Sequence, residues 1–182
     1  MGGIYGVAHD QITYSISPEY FTKLKFKQFA YADFGLGNRF FAGTIGFIAT
    51  WWVGFAAAWF LARKHIPKIP RGVAIRQIFK SVLVVVLFAV IFAFGGFAYI
   101  SRLGTQSDIS WWSWAFRKYQ IDDHWNFVRV AYIHNSGYVG AFVGLIFSLV
   151  VIRRVQGQAK TQTLCRQIQK SEEMVVDEAT NP

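Results

Sequence analysis

The sequence predicts an all-α membrane protein with three transmembrane helices. The chain has 182 residues, of which 53% are hydrophobic, more than one soluble domain can bury together with three uncharged runs. These runs, at 41–62, 81–100 and 130–152, contain no Asp, Glu, Lys or Arg. A helix of such a length rises roughly 30 Å, which matches the hydrocarbon thickness of a bilayer. None of the runs has the polar face of a helix packed on a soluble core.

Charged residues next to the runs predict their orientation. The loop at 63–80 has six cations and no acid, and the segment after the third run begins with Arg153 and Arg154. By the positive-inside rule, this loop and the C-terminus are cytoplasmic. The N-terminal segment, 1–40, and the loop 101–129 are then outside, and they hold six of the ten acidic residues. We therefore predict a multi-pass protein with its N-terminal segment outside.

The overall charge and the cysteine content exclude some other classes. The formal net charge is +9, but its cations lie mostly beside the spans, where topology explains them better than a nucleic-acid partner. The only cysteine, Cys165, cannot form an internal disulfide bond. We predict one integral membrane domain, 1–154, that contacts the lipid bilayer and binds no nucleic acid. The polar segment 155–182 is predicted to be a flexible cytoplasmic tail.

Two amphipathic segments are predicted to lie at the membrane surface. The first, 18–29, mixes aromatic and basic residues and follows a helix start in which Ser17 is the N-cap and Pro18 the first helical residue. The second, 108–119, is rich in tryptophan. The apolar residues 1–8 look like the end of a truncated extra N-terminal span, so we expect Met1 to be an internal start.

Several sequence motifs carry a family resemblance. They are HDQITYSISPEYF at 9–21, KFKQF at 25–29, ATWWVG at 49–54 and RVAYIHN at 129–135. In these stretches the chain resembles an uncharacterised bacterial family of small multi-span integral membrane proteins. The resemblance implies a location in the bacterial inner membrane and assigns no chemistry. It also implies a full span before the His-Asp-Gln run, where this chain has only the residues 1–8.

His134 is the strongest candidate for a functional residue, because it is the only histidine inside the three runs. A polar residue at such a depth marks a site or forms a hydrogen bond between helices. If the predicted orientation holds, His9, Asp10, Asp123 and His124 lie near the same membrane boundary. Imidazoles and carboxylates can bind a divalent metal or act as general acid and base. We predict His134, His124, His9 and Asp10 as catalytic candidates and add Asp123 as a metal-ligand candidate, although their spacing forms no motif and identifies no cofactor.

Closely spaced glycines in the third run predict a helix-packing surface. Gly140 and Gly144 form a small-xxx-small pattern, Gly137 extends the same face, and Asn135 can form a hydrogen bond across helices. This surface can serve packing within one chain or a homo-oligomer through the third span.

The sequence leaves the function open between three classes. The leading interpretation is a structural or accessory membrane component that is not an enzyme, because the chain has no nucleophile motif, nucleotide loop or metal signature. The alternative is a metal- or histidine-dependent membrane enzyme at the outer face. A small transporter or channel subunit is the third class, and only the third span offers it polar residues.

Overall fold

The computed structural model describes residues 1–65 and 71–151, and in these residues it is helical with no β-strand. This confirms the predicted all-α class. The predicted tail, 155–182, lies outside the described residues, as does the last residue of the predicted third span. Residues Met1–Leu145 form one compact unit. The helices are α1 Gly2–Ile16, α2 18–28, α3 Asn38–His65, α4 Arg71–Leu103, α5 Ser113–Tyr119 and α6 His124–Val151.

Three of the helices are long and apolar enough to cross a membrane, at Asn38–Arg63, Gly72–Leu103 and His124–Val151. Their number and order confirm the predicted spans, and all three begin earlier than predicted. In α6 the early start has a local cause, because Asp123 caps the helix. Its Oδ1 accepts the backbone N–H of Asn126 at 3.0 Å.

The short helix α1 packs antiparallel against the N-terminal half of α3. Gly6 and Gly46 form the closest point, where a Cβ on either glycine would collide with the carbonyl oxygen of the other. Nearby, the Thr50 hydroxyl donates a hydrogen bond to the Gly2 carbonyl at 2.8 Å. Small residues allow two helices to approach this closely. Residues 1–8 therefore continue into one helix with His9 and Asp10, and this helix lies alongside a span.

The predicted surface segment 18–29 forms α2, and its start confirms the predicted cap. Ser17 Oγ accepts the backbone N–H of Tyr20 at 3.3 Å. Tyr20–Lys25 has π-helical hydrogen bonding, and Phe26–Gln28 returns to α-helix. Phe21 is completely buried in a core shared with α5 and the first turns of α6. Apolar packing thus holds α2 across one end of the three long helices.

A network of charged side chains, the Glu19–Lys23–Asp122 network, joins α2 to the residues just before α6. Glu19 Oε2 accepts the backbone N–H groups of Asp122 and Asp123 at 2.9 and 2.8 Å. Lys23 Nζ donates to Asp122 Oδ2 at 2.6 Å and lies 2.5 Å from Glu19 Oε1. The network fixes the position of α2 relative to α6.

The glycines of the third span face α4 of the same chain. A Cβ on Gly140 would lie 2.5 Å from the Phe88 carbonyl oxygen, and one on Gly144 would lie 2.9 Å from Phe88 Cβ. Gly137 faces Ala93 of α4, with 3.6 Å between the two Cβ positions. The Asn135 side chain is exposed in this chain. The reason is the helical rotation of about 100° per residue, which separates Asn135 from the neighbouring buried His134.

Candidate metal centre

The structure brings His9 and Asp10 of α1 together with His134 of α6. Each of the three side chains offers one ligand atom, and these atoms all lie within 4.8 Å of one another. The packing of α1 on α3 positions the first two, since Asp10 Cβ lies 3.0 Å from the place that a Cβ on Gly46 would take. His134 lies about 15 Å along the axis from the start of α6 at 1.5 Å per residue. The cluster is therefore well inside the apolar part of the protein.

Two of the three residues are almost completely buried. Asp10 is 4% exposed and His134 is 6% exposed. His134 Nε2 has no hydrogen-bond partner among the described residues, and Asp10 Oδ1 lies 3.9 Å from it. Within the part of the chain that the structure describes, no hydrogen bond reaches the Asp10 carboxylate either. A buried polar atom without a partner, such as His134 Nε2, costs roughly 1–3 kcal/mol, and an ion between His134 and Asp10 would satisfy it.

Aromatic rings fix the plane of the His134 imidazole. The Tyr20 ring stacks on it with 5.1 Å between centroids and 13° between planes. The His9 ring meets it edge-on, with 4.7 Å between centroids and an 81° angle. Held by these contacts, His134 presents Nε2 to α1. The π-helical segment that carries Tyr20 is thus part of the site, a location that such segments often have.

Tyr5 is placed to orient the His9 imidazole. Its hydroxyl oxygen lies 3.3 Å from His9 Nδ1, one helical turn away on α1. When Nδ1–H donates to this oxygen, Nε2 is left unprotonated and can bind a metal. Hydrogen bonds of this kind orient most metal-binding histidines in proteins. Tyr5 therefore completes the geometry of the cluster without being a ligand.

Two imidazoles and one carboxylate are a ligand set that suits Zn²⁺ and Fe²⁺. Around a tetrahedral ion with bonds of about 2.1 Å, the ligand atoms lie about 3.4 Å apart. His9, Asp10 and His134 would have to close by roughly 1 Å to reach this spacing. They line a cavity of about 80 Å³, which has room for an ion and several water molecules. The arrangement thus provides three protein ligands beside open space.

Lys25 of α2 lines the same cavity. Its Nζ lies 5.8 Å from the ring centroid of Tyr20 and 5.9 Å from that of Phe29. Burial lowers the pKa of Lys25, and the negative charge of Asp10 acts in the opposite direction. The Lys25 amino group therefore stands beside the candidate ligands in this cavity.

The rest of the cavity wall is mainly aliphatic and glycine-rich. From the cluster it follows α3 through Ala49, Val53 and Ala57, and it is closed by α4 at Val82 and Val85. These side chains offer no ligand and no hydrogen bond to an ion. The candidate metal ligands are thus found at one end of the cavity.

His124 and Asp123, which the sequence placed with the candidate ligands, are not part of this cluster. The His124 ring stacks on Phe116 of α5, with 4.0 Å between centroids. Asp123 is engaged by Asn126, whose backbone and side-chain N–H groups donate to its two carboxylate oxygens. The physical reason is the rise of α6, which separates its first turn from His134 by about 15 Å. Residues that lie near the same membrane boundary therefore need not belong to the same cluster.

Three residues that shape the site were not predicted from the sequence: Tyr5, Tyr20 and Lys25. A signal was available for Tyr5, since it precedes His9 by four residues and so shares its helical face. No local signal was available for Tyr20 and Lys25. Their amphipathic segment predicted contact with the membrane surface, and only the docking of α2 places them at the cavity.

Comparisons of the chain with protein-family models, with curated proteins and with solved structures found no match. The resemblance to a bacterial membrane-protein family therefore stays a prediction. The features of the chain that bear on its function are the cluster of His9, Asp10 and His134 and the three apolar helices.

Proposed function

We propose that this integral membrane protein binds a divalent transition-metal ion through His9, Asp10 and His134, and that its function depends on this ion. The observation that carries the proposal is the buried Nε2 of His134, which has no hydrogen-bond partner among the described residues. It points toward a carboxylate oxygen 3.9 Å away and an imidazole in ring contact. Zn²⁺ and Fe²⁺ are the ions that this ligand set favours.

The number of ligands favours an active metal centre over a purely structural one. Structural zinc sites use four protein ligands, whereas catalytic sites keep a position for water or substrate. Three protein ligands beside a cavity of about 80 Å³ fit the second type. An ion held in this way acts as a Lewis acid and makes a bound water a nucleophile near neutral pH. This supports the metal-dependent class over the transporter class, because the aliphatic wall beyond the cluster offers an ion no path.

Metal analysis of the purified protein tests the proposal. The protein, extracted in a mild detergent and dialysed against metal-free buffer, should retain about one equivalent of Zn²⁺ or Fe²⁺ per chain by mass spectrometry. His134→Ala and His9→Ala should lose the ion, because each removes one of three ligands. His124→Ala is the matched control and should retain it, because His124 stacks on Phe116 away from the cluster. Equal metal contents in the wild type and in His134→Ala would refute the proposal.

For the orientation, we propose that the segment 63–80, where α3 ends and α4 begins, and the C-terminus face the cytoplasm of a bacterial cell, across its inner membrane. The six cations of this segment support the arrangement. The single cysteine, Cys165, provides a test with a membrane-impermeant maleimide. It should react in inverted membrane vesicles and not in spheroplasts. A cysteine at the exposed Trp111, introduced in a Cys165→Ser background, should react in spheroplasts, and the reverse pattern would contradict the orientation.

A second candidate function, that of an accessory membrane component acting as a homo-oligomer, is favoured by Asn135. Its amide is exposed on α6, beside a groove between α4 and α6. Two such amides from two copies can form hydrogen bonds with each other within the membrane. Asn135→Leu should then shift the particle size in mild detergent from dimer to monomer. Val139→Leu, a change in the same groove, should not, and an unchanged size in both variants would exclude this interface.

A further inference from the structure

Lys25 has a position that the proposed metal binding does not explain. It lines the cavity of His9, Asp10 and His134. Within the described residues, its ammonium group is not engaged in any hydrogen bond or ion pair, and its close contacts are the faces of Tyr20 and Phe29. The neighbouring Lys23, in contrast, is bonded to Asp122 and Glu19. A half-buried ammonium of this kind is free to bind an anion.

The charges around the cavity indicate when an anion is needed. Without a metal, an ionised Asp10 balances the positive charge of Lys25. A divalent ion with neutral histidine ligands adds two positive charges, which Asp10 alone no longer balances. Uncompensated charge in apolar surroundings is strongly unfavourable, so the loaded centre favours an anion beside the ion.

We propose that the metal-loaded centre binds an oxyanion of the phosphate type, with one oxygen on the metal and another on Lys25 Nζ. This inference rests on the proposed metal binding. The open side of the three-ligand set provides the metal position, and Lys25 provides the second contact from α2. The cavity volume of about 80 Å³ accommodates a small oxyanion. The phosphate group can belong to a free ion or to a lipid whose chains lie outside the cavity.

The test uses the full-length protein loaded with Co²⁺, whose visible absorption reports on its ligands. The metal content is measured first, and the loaded protein is then titrated separately with inorganic phosphate and with dodecyl phosphate. We expect a saturable spectral change with at least one of them. Lys25→Met should weaken the affinity for the anion by about tenfold or more, as expected for a lost charge-assisted hydrogen bond.

Two further variants separate the role of Lys25 from general damage to α2. Lys25→Arg keeps the charge and should retain most of the affinity. Lys27→Met removes an exposed charge from the same helix and should bind the anion like the wild type. The cobalt content of Lys25→Met should equal or exceed that of the wild type, because a repelling charge has been removed. A structural defect would instead lower the cobalt content.

The outcomes distinguish the metal site from the oxyanion site. A wild-type protein that holds no metal overturns the proposed function and this inference with it. A protein that holds cobalt but shows no spectral change with either phosphate, or an unchanged affinity in Lys25→Met, overturns only the oxyanion site. A response to both compounds supports a site for free phosphate, and a response to dodecyl phosphate alone supports a lipid headgroup.

Discussion

Asp10 Oδ1 and His134 Nε2 lie 3.9 Å apart, although the two residues belong to the first and the last described helices. Both are almost completely buried, and the distance is too long for a hydrogen bond. The pair therefore destabilises the metal-free protein. An ion between the two atoms would remove this destabilisation, and the gain would contribute to its binding. Functional sites often carry such a local loss of stability.

The first prediction concerns the Asp10 carboxylate. Asp10→Asn keeps the size of the side chain but removes the carboxylate ligand, so it should abolish the effect of a bound metal on stability. Zn²⁺ at about 100 times its Kd should stabilise the wild type by roughly 2.7 kcal/mol and leave Asp10→Asn unchanged. Thermal unfolding in detergent, with and without zinc, measures both effects. An equal zinc shift in the two proteins would exclude Asp10 as a ligand.

The second prediction concerns the contact between α1 and α3. A Cβ on Gly6 would meet the backbone of Gly46, which cannot move aside as a side chain can. Gly6→Ala should therefore destabilise the protein by about 1–3 kcal/mol and displace His9 and Asp10, so that metal binding weakens as well. Gly95→Ala is the matched control, because no atom lies within 4 Å of its Cβ position. Its unfolding temperature should stay the same or rise, since alanine is the better helix former. Equal stabilities of the two variants would contradict close packing at Gly6.

The sequence predicted those parts of the fold that depend on local composition. The three spans are visible because an uncharged apolar run is a property of neighbouring residues, and the Ser17 cap follows from the residues beside it. His134 could be predicted for the same reason, because a single histidine in an apolar run can be recognised without knowing how the helices pack. The sequence did not predict the early starts of α4 and α6, because the first turns of these helices contain charged residues. These turns are therefore not part of an uncharged apolar run.

The parts of the site that depend on tertiary contacts could not be predicted. His9 and Asp10 meet His134 only because α1 packs on α3 through Gly6 and Gly46. The sequence showed these glycines without showing which of them face each other. His124 was grouped with the other histidines from its membrane boundary, but the rise of α6 places it about 15 Å from His134.

The third prediction distinguishes packing within the chain from packing between chains. Gly140 faces the Phe88 carbonyl of α4, at 2.5 Å from its Cβ position. Gly140→Ala should therefore lower the unfolding temperature by an amount equivalent to about 1–3 kcal/mol. Gly137→Ala should be tolerated, because its nearest neighbour is at an ordinary contact distance of 3.6 Å. Particle size and thermal unfolding in detergent separate the two cases. A smaller particle with unchanged stability in Gly140→Ala would show that this glycine serves an interface between copies instead.

The last prediction concerns pH and the Glu19–Lys23–Asp122 network. Partial burial raises the pKa of Glu19, but hydrogen bonds from Lys23 and from the backbone N–H groups of Asp123 and Asp122 outweigh this effect. As a result, the pKa of Glu19 is lowered from 4.5 to about 2. Because the folded-state pKa lies below the value in the unfolded chain, the network stabilises the fold fully above pH 4.5. This stabilisation is lost as the pH falls toward 2.

Glu19→Gln tests this relation, because glutamine cannot accept these bonds with a negative charge. The variant should be less stable than the wild type at pH 7 by about 1–2 kcal/mol, and the difference should shrink between pH 4.5 and 2.5. Asp33→Asn removes one exposed acid elsewhere, and its side-chain oxygen can still accept the Gly35 N–H, so it controls for net charge. Unfolding temperatures measured across this pH range decide the question. A Glu19→Gln difference that stays constant down to pH 2.5 would show that the carboxylate charge does not hold α2 to the start of α6.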